Sequence, residues 1–196
     1  MAVMERDTEL SLVAGLRRGE PGAFDAVYEA YRARVFGFLV RLSRSRTVAE
    51  DLLDETWLRL VRSAPRLHAD TRLLPWLFTV ARNLYWTYRR TSALEETQDP
   101  HTLALWPCRD GWPSPFDVAA GHELQRRLER ALARLSPRHR EVLLLVGVEG
   151  LTPGEAAVVC GLTPEALRQL LARARAALAQ ALDPARPRTS KRSGTP

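Results

Sequence analysis

Apolar residues recur at helical spacing along most of this chain, and no stretch alternates as a strand would. Leu10, Val13 and Leu16 mark a first segment, and Phe24, Val27, Tyr28, Tyr31, Val35, Phe38, Leu39 and Leu42 a longer second one. A third opens on Thr47-Val48-Ala49-Glu50, which has the spacing of a capping box, and its inner face reads Leu52, Leu53, Thr56, Trp57, Leu60 and Val61 until Pro65 ends it. A fourth runs from Leu74 to Arg90, with Leu77, Ala81, Leu84 and Tyr88 as its core stripe and Trp76 and Val80 beside it. The expected fold is all-α.

Periodicity breaks from Thr91 to Gly121, where Pro100, Pro107, Pro113 and Pro115 stand among five acids and one arginine. It resumes at Leu124, Leu128, Ala131, Leu132 and Leu135 and stops at Ser136-Pro137. Two near-repeats follow, Gly150-Leu151-Thr152-Pro153-Gly154-Glu155 and Gly161-Leu162-Thr163-Pro164-Glu165-Ala166. Each is a helix start, with a threonine cap and proline at the first helical position, and Glu155 completes a capping box with Thr152. A short helix, a turn through Gly161 and a helix from Pro164 to Leu182 have the spacing of a helix-turn-helix. The pattern therefore predicts two small helical domains joined by a flexible linker: residues 7–90, an acidic linker at 91–121, a four-helix helix-turn-helix domain at 122–182, and a disordered basic tail at 183–196.

Composition sharpens this picture without deciding it. The 196 residues are 45% hydrophobic, enough for a core in each domain, and 28 arginines with one lysine, Lys191, outweigh 23 acids to give a net charge of +6. That balance favours a polyanionic partner. An arginine bias of this kind also arises from genomic base composition, so the placement of the arginines carries the information. Cys108 and Cys160 have no partner at metal-ligand spacing, and no metal, cofactor or disulfide framework is expected. The first fifteen residues lack a basic-then-apolar signal, and no apolar run approaches a membrane span, so the expected location is the cytoplasm.

Two faces carry candidate chemistry. Opposite the core stripe, the fourth helix presents Arg82, Asn83, Tyr85, Trp86, Arg89 and Arg90. Guanidinium groups bind phosphate and aromatic rings stack on unpaired bases, which suits a nucleic acid whose strands are separating. Taken alone, the same residues also suit a solvated arginine face around a large core. In the last helix Leu167, Leu171, Ala174, Leu178 and Leu182 face inward, leaving Glu165, Arg168, Gln169, Ala172, Arg173 and Arg175 outward to meet base edges and phosphates in a major groove.

In this order, the segments resemble the bacterial RNA polymerase sigma factors of the extracytoplasmic-function group, over about Ala23 to Arg90 and Glu123 to Leu182. In the first domain, Ala49-Glu50-Asp51-Leu52-Leu53-Asp54-Glu55-Thr56-Trp57-Leu58-Arg59 is similar to the helix that docks on the clamp helices of the largest polymerase subunit. The resemblance implies polymerase contacts at Asp51, Asp54, Glu55 and Trp57. Trp76-Leu77-Phe78-Thr79-Val80-Ala81-Arg82-Asn83 is similar to the segment that melts the minus-10 element, with the loop from Leu67 to Arg72, including Asp70 and Thr71, near a captured base. Leu135-Ser136-Pro137-Arg138-His139-Arg140-Glu141-Val142-Leu143-Leu144-Leu145 resembles the opening of the second domain, whose helix-turn-helix would read the minus-35 element. The acidic linker resembles the segment that occupies the polymerase cleft and RNA exit path. The implied partners are core RNA polymerase, promoter DNA and an anti-sigma factor, with the free protein a monomer. The chain departs from the family pattern at Asp54, Leu67, Leu73, Ala166 and Leu170.

Three other functions compete. A dimeric helix-turn-helix regulator acting without polymerase explains the second domain but not the pairing of Asp51–Glu55 with Trp76–Arg90. A degenerate sigma-like protein would bind polymerase without starting transcription. A helical enzyme would need His68, His101, His122 or His139, none of which sits at ligand spacing or in a recognisable catalytic set, so no catalytic residue is expected.

Overall fold

The computed structural model describes residues 5–95 and 122–182. The expected tail at 183–196, and the expected linker from residue 96 onward, lie outside the described residues. Residues 91–95, expected to open the linker, continue the fourth helix instead.

Four helices build the first domain: α1 (Arg6–Arg18), α2 (Pro21–Ser43), α3 (Arg46–Ser63) and α4 (Leu73–Glu95), with a single 3-10 turn at Ala64–Arg66 after α3. Val27, Val35, Phe38, Leu39 and Leu42 of α2 form the spine of the core, and Phe38 meets Phe78 of α4 edge-on at 5.1 Å between ring centroids. The cap of α3 is Ser45, not the expected Thr47: Arg44 adopts the left-handed conformation (φ 64), and the Ser45 hydroxyl then accepts the Val48 N–H. The inner face of α3 also turns slightly from expectation. Trp57 is buried between Phe24 and Tyr28, while Val61 stands 54% exposed. On α4 the core position expected at Tyr88 is taken by Tyr85, and Tyr88 is exposed.

The second domain holds α5 (His122–Arg134), α6 (Pro137–Leu143), α7 (Pro153–Cys160) and α8 (Pro164–Leu182). Leu124 of α5, expected inside, is exposed. Ser136 caps α6, whose last turn widens into a π turn at Leu144–Val148. Thr152 and Glu155 form the expected reciprocal capping box on α7, and Gly161 closes that helix with φ 63, a left-handed value that costs glycine nothing. Thr163 caps the start of α8 through the Ala166 N–H.

The two domains do not stand apart. α7 packs on α4 and α6 on α2, and the buried apolar residues of both domains form one continuous core.

Candidate nucleic-acid interface

Four surfaces emerge where the sequence placed chemistry, three on the first domain and one on α8. The first is the outer face of α3, where Asp51 and Asp54 are exposed and Glu55 pairs with Arg59 at 3.0 Å. Trp57, expected among them, is 5% exposed and belongs to the core. In its place Leu58 and Val61 stand about half exposed, so positions 51, 54, 58 and 61 line one face at spacings of three and four. Such a seam suits another helix as partner. The signal was available in the sequence, because Leu58 falls between the inward positions Trp57 and Leu60 and cannot share their face.

The second surface is a cleft of about 330 Å³ at the end of α3, lined by Arg62, Ser63, Arg66, Leu67, His68, Thr71 and Trp76. Two arginines and an indole around a space of this size can hold one unpaired base and its phosphate. The loop that forms it is fastened from outside. His68 hydrogen-bonds Asp70, which holds the Asp70 carboxyl below the usual carboxylate range, and the Thr71 hydroxyl donates to the His68 carbonyl at 2.7 Å. From α1, Arg6 donates to the Asp70 carbonyl at 2.6 Å, and buried Glu9 accepts from Arg6 and from the Leu73 N–H. Asp70 and Thr71 therefore sit at the expected loop, while Arg62 and Arg66 are functional candidates the sequence reading missed. Their signal was an i, i+4 pair of arginines straddling Pro65.

Further along α4 from Trp76 lies the third surface, and there the structure departs from expectation. Asn83, Arg89 and Arg90 are exposed, whereas Tyr85 is buried and is removed from the set of residues able to touch DNA. Arg82 and Trp86 are half-covered by the second domain. The Arg82 Nε donates to Glu141 Oε1 at 2.7 Å, the Trp86 Nε1 donates to the same oxygen at 2.8 Å, and the Arg138 guanidinium lies over the Trp86 ring at 4.6 Å.

Further contacts repeat that polarity across the junction. Arg34 donates to the carboxylate and the carbonyl of Glu149, Arg41 lies 3.8 Å from Glu129, and Arg72 lies 3.2 Å from Glu155. Burial pushes the Glu149 carboxyl up against the opposing pull of Arg34. Burial also opposes ionisation of Glu155, but hydrogen bonds from Thr152 and the nearby Arg72 outweigh it and hold that carboxyl low. Arg140 is buried and donates to the carbonyls of Leu132, Ala133 and Leu135 in its own domain and Leu42 in the other; desolvation lowers its pKa to about 10.

On α8 the outward set is as expected: Glu165, Arg168, Gln169, Ala172, Arg173 and Arg175 are all exposed. Arg168 is held by Glu165 at 2.6 Å and by the Pro164 carbonyl. Among the described residues no cluster of His, Cys, Asp and Glu could hold a metal, and no helix is long and apolar enough to cross a membrane. The buried Cys160 thiol is pushed up to about 12, chiefly by desolvation, so it stays protonated at neutral pH.

Residues 27–94 match sigma-70 region 2, and residues 125–178 match sigma-70 region 4. The chain is 35% identical over 155 residues to the RNA polymerase sigma factor CarQ of Myxococcus xanthus, covering 78% of this chain and 84% of the relative. It is 30% identical over 146 residues to the ECF RNA polymerase sigma factor EcfG of Rhodopseudomonas palustris, covering 74% and 77%. Its fold is similar to that of the sigma factor RpoE of Bartonella quintana, solved with the anti-sigma factor NepR, at a TM-score of 0.67, 24% identity, and coverage of 83% of this chain and 98% of that one.

Proposed function

The chain belongs to the extracytoplasmic-function sigma factors, which direct transcription initiation at promoters, and from that premise we propose how its surfaces divide the work. The domain of residues 7–90 docks on core RNA polymerase and opens the minus-10 element, and the domain of residues 122–182 reads the minus-35 element. The cleft at the start of α4 carries this reading, because Arg62 and Arg66 set guanidiniums around a base-sized space lined by Trp76 of the same helix that carries Asn83, Arg89 and Arg90 further along.

Asp51 and Asp54, with Leu58 and Val61, dock on a helical element of the polymerase. Asn83, Arg89 and Arg90 meet the separating strand, the cleft between Arg62, Arg66 and Trp76 receives one flipped base, and the loop at Asp70 and Thr71 forms its rim. Arg168, Gln169, Arg173 and Arg175 enter the major groove at the minus-35 element, with Glu165 and Ala172 alongside. The protein acts in the cytoplasm by binding and carries no catalytic step of its own. An anti-sigma factor, of the kind solved with RpoE, is a fitting partner for a chain of this fold.

Run-off transcription with core polymerase on a library of genomic fragments tests the reading. Specific transcripts that depend on the protein are expected. Stable binding to core polymerase without any transcript would instead favour the degenerate sigma-like reading, and failure to bind core polymerase would remove the docking assignment.

A further inference from the structure

The most telling atoms at the junction are two N–H donors aimed at one oxygen. The Arg82 Nε and Trp86 Nε1 converge on Glu141 Oε1 at 2.7 and 2.8 Å, and the Glu141 side chain is only 1% exposed. Two converging donors, one of them a guanidinium, make a ready oxyanion site. Its present occupant fits imperfectly: Glu141 Oε2 is buried with no hydrogen-bond partner. A buried carboxylate satisfied on one oxygen alone keeps the desolvation cost of the other, which its release to water would recover.

Charge arranges the whole junction in the same sense. Each of the four cross-domain ion pairs among the described residues, Arg34–Glu149, Arg41–Glu129, Arg72–Glu155 and Arg82–Glu141, takes its arginine from the first domain and its glutamate from the second. The second domain thus meets the first as a polyanion would. The outward arginines of α8 take no part in those pairs and remain exposed.

We propose that Arg82 and Trp86 form an oxyanion site held by the Glu141 carboxylate in the closed molecule and by a backbone phosphate of single-stranded DNA in the open one, so that the closed molecule can approach duplex DNA through α8 but cannot grip a melted strand. This rests on the reading of α4 as the strand-engaging helix. Glu141 is an internal stand-in for phosphate. While it is bound, Arg138 also covers the Trp86 ring, so neither phosphate nor base can use that indole. Opening exchanges the carboxylate–guanidinium pair at Arg82 for a phosphate–guanidinium pair of the same polarity, so that this guanidinium is not left bare.

The test uses the full chain and two fluorescent probes, a single-stranded poly-dT oligonucleotide and a mixed-sequence duplex, followed by anisotropy at low salt. Glu141→Gln keeps an acceptor at the site but removes its charge, and it should bind the single strand about tenfold more tightly than wild type while duplex affinity stays within about twofold. Adding Arg82→Ala to Glu141→Gln should abolish that gain. If Glu141→Gln changes nothing while Arg82→Ala weakens single-strand binding, the α4 reading stands and the stand-in role is overturned. If neither substitution moves single-strand affinity in a protein of native helicity, the α4 reading itself falls. Equal gains for both probes would overturn the claimed asymmetry. Should Glu141→Gln fail to fold, the double substitution of the more exposed Glu129→Gln and Glu155→Gln loosens the same junction without touching Arg82 or Trp86; it should raise single-strand affinity several-fold, and no rise overturns the proposal.

Discussion

Glu9 Oε1 accepts the backbone N–H of Leu73 at 2.8 Å, so a side chain on the first helix caps the fourth helix across sixty-four residues of sequence. The same carboxylate pairs with Arg6 at 2.6 Å and lies 3.5 Å from Arg72, and it is buried. It fixes the end of α4 and the base of the 67–72 loop with one group. Glu9→Ala leaves a buried N–H unsatisfied and Arg6 without its carboxylate, while Arg72 keeps Glu155, and should cost about 2–4 kcal/mol of stability in urea unfolding. Glu9→Gln, which keeps the acceptor for Leu73, should cost clearly less. Equal losses in the two variants would mean that the charge, not the cap, is what matters.

Arg140 supplies the complementary case on the second domain. Its guanidinium makes four hydrogen bonds, which satisfy three carbonyls at the end of α5 and, through Leu42, the C-terminal end of α2. Lysine cannot reproduce that fork. Arg140→Lys should therefore destabilise by about 2–3 kcal/mol and Arg140→Ala by about 3–5 kcal/mol, both read as a lower urea midpoint. A neutral Arg140→Lys would show that the planar fork is not required and that an ammonium's donors suffice.

What the sequence disclosed and what it withheld divide along a physical line. Features set within one turn were legible: the Thr152–Glu155 box, Gly161 as a helix stop, and the outward face of α8 all depend on neighbours three or four residues away. Local rules failed where a nearby conformation outcompeted them, as when the left-handed turn at Arg44 handed the α3 cap to Ser45. They also misjudged the limits of the buried faces: Tyr85 is buried where Tyr88 was expected, and Val61 is exposed at the margin of the α3 face. The junction was invisible because each of its pairs is long-range. Nothing near Glu141, Glu149 or Glu155 in sequence distinguishes an acid that meets an arginine of the other domain from one that faces water, and Arg62 and Arg66 become a cleft only once α4 places Trp76 opposite them.

The junction should respond to pH through Glu149. Burial raises its folded pKa above the ordinary 4.5, although Arg34, and more weakly Arg41, pull the other way. A raised carboxyl pKa means that the folded state binds the proton more tightly than the unfolded one. Its contribution is then fully present below pH 4.5 and is lost as pH rises through the raised value. Glu149→Gln removes the titration but keeps an acceptor for Arg34. The stability of wild type relative to Glu149→Gln should accordingly fall as pH is raised from about 4.5 to 7. A rise over that range would show that Arg34 outweighs desolvation.

The exposed tether on α8 gives a prediction about specificity. Arg168 is held over the first turn by Glu165 at 2.6 Å and by the Pro164 carbonyl at 3.2 Å, which fixes its guanidinium before DNA arrives. An exposed pair of this kind contributes little stability, roughly 0–1 kcal/mol, so Glu165→Ala should leave unfolding almost unchanged. Its effect should appear in binding, because an untethered guanidinium must be ordered on the DNA. On a promoter recovered from run-off transcription, Arg168→Ala should weaken duplex binding by about 1–3 kcal/mol and relax base preference at one position if it reads a base edge. Arg173→Ala, if that residue holds a phosphate, should weaken all sequences alike and reduce the salt slope by about one. Glu165→Ala should shift binding in the same direction as Arg168→Ala, by a smaller amount and at the same base position. If Arg168→Ala leaves affinity, base preference and salt dependence untouched, the reading face of α8 lies on another side of the helix.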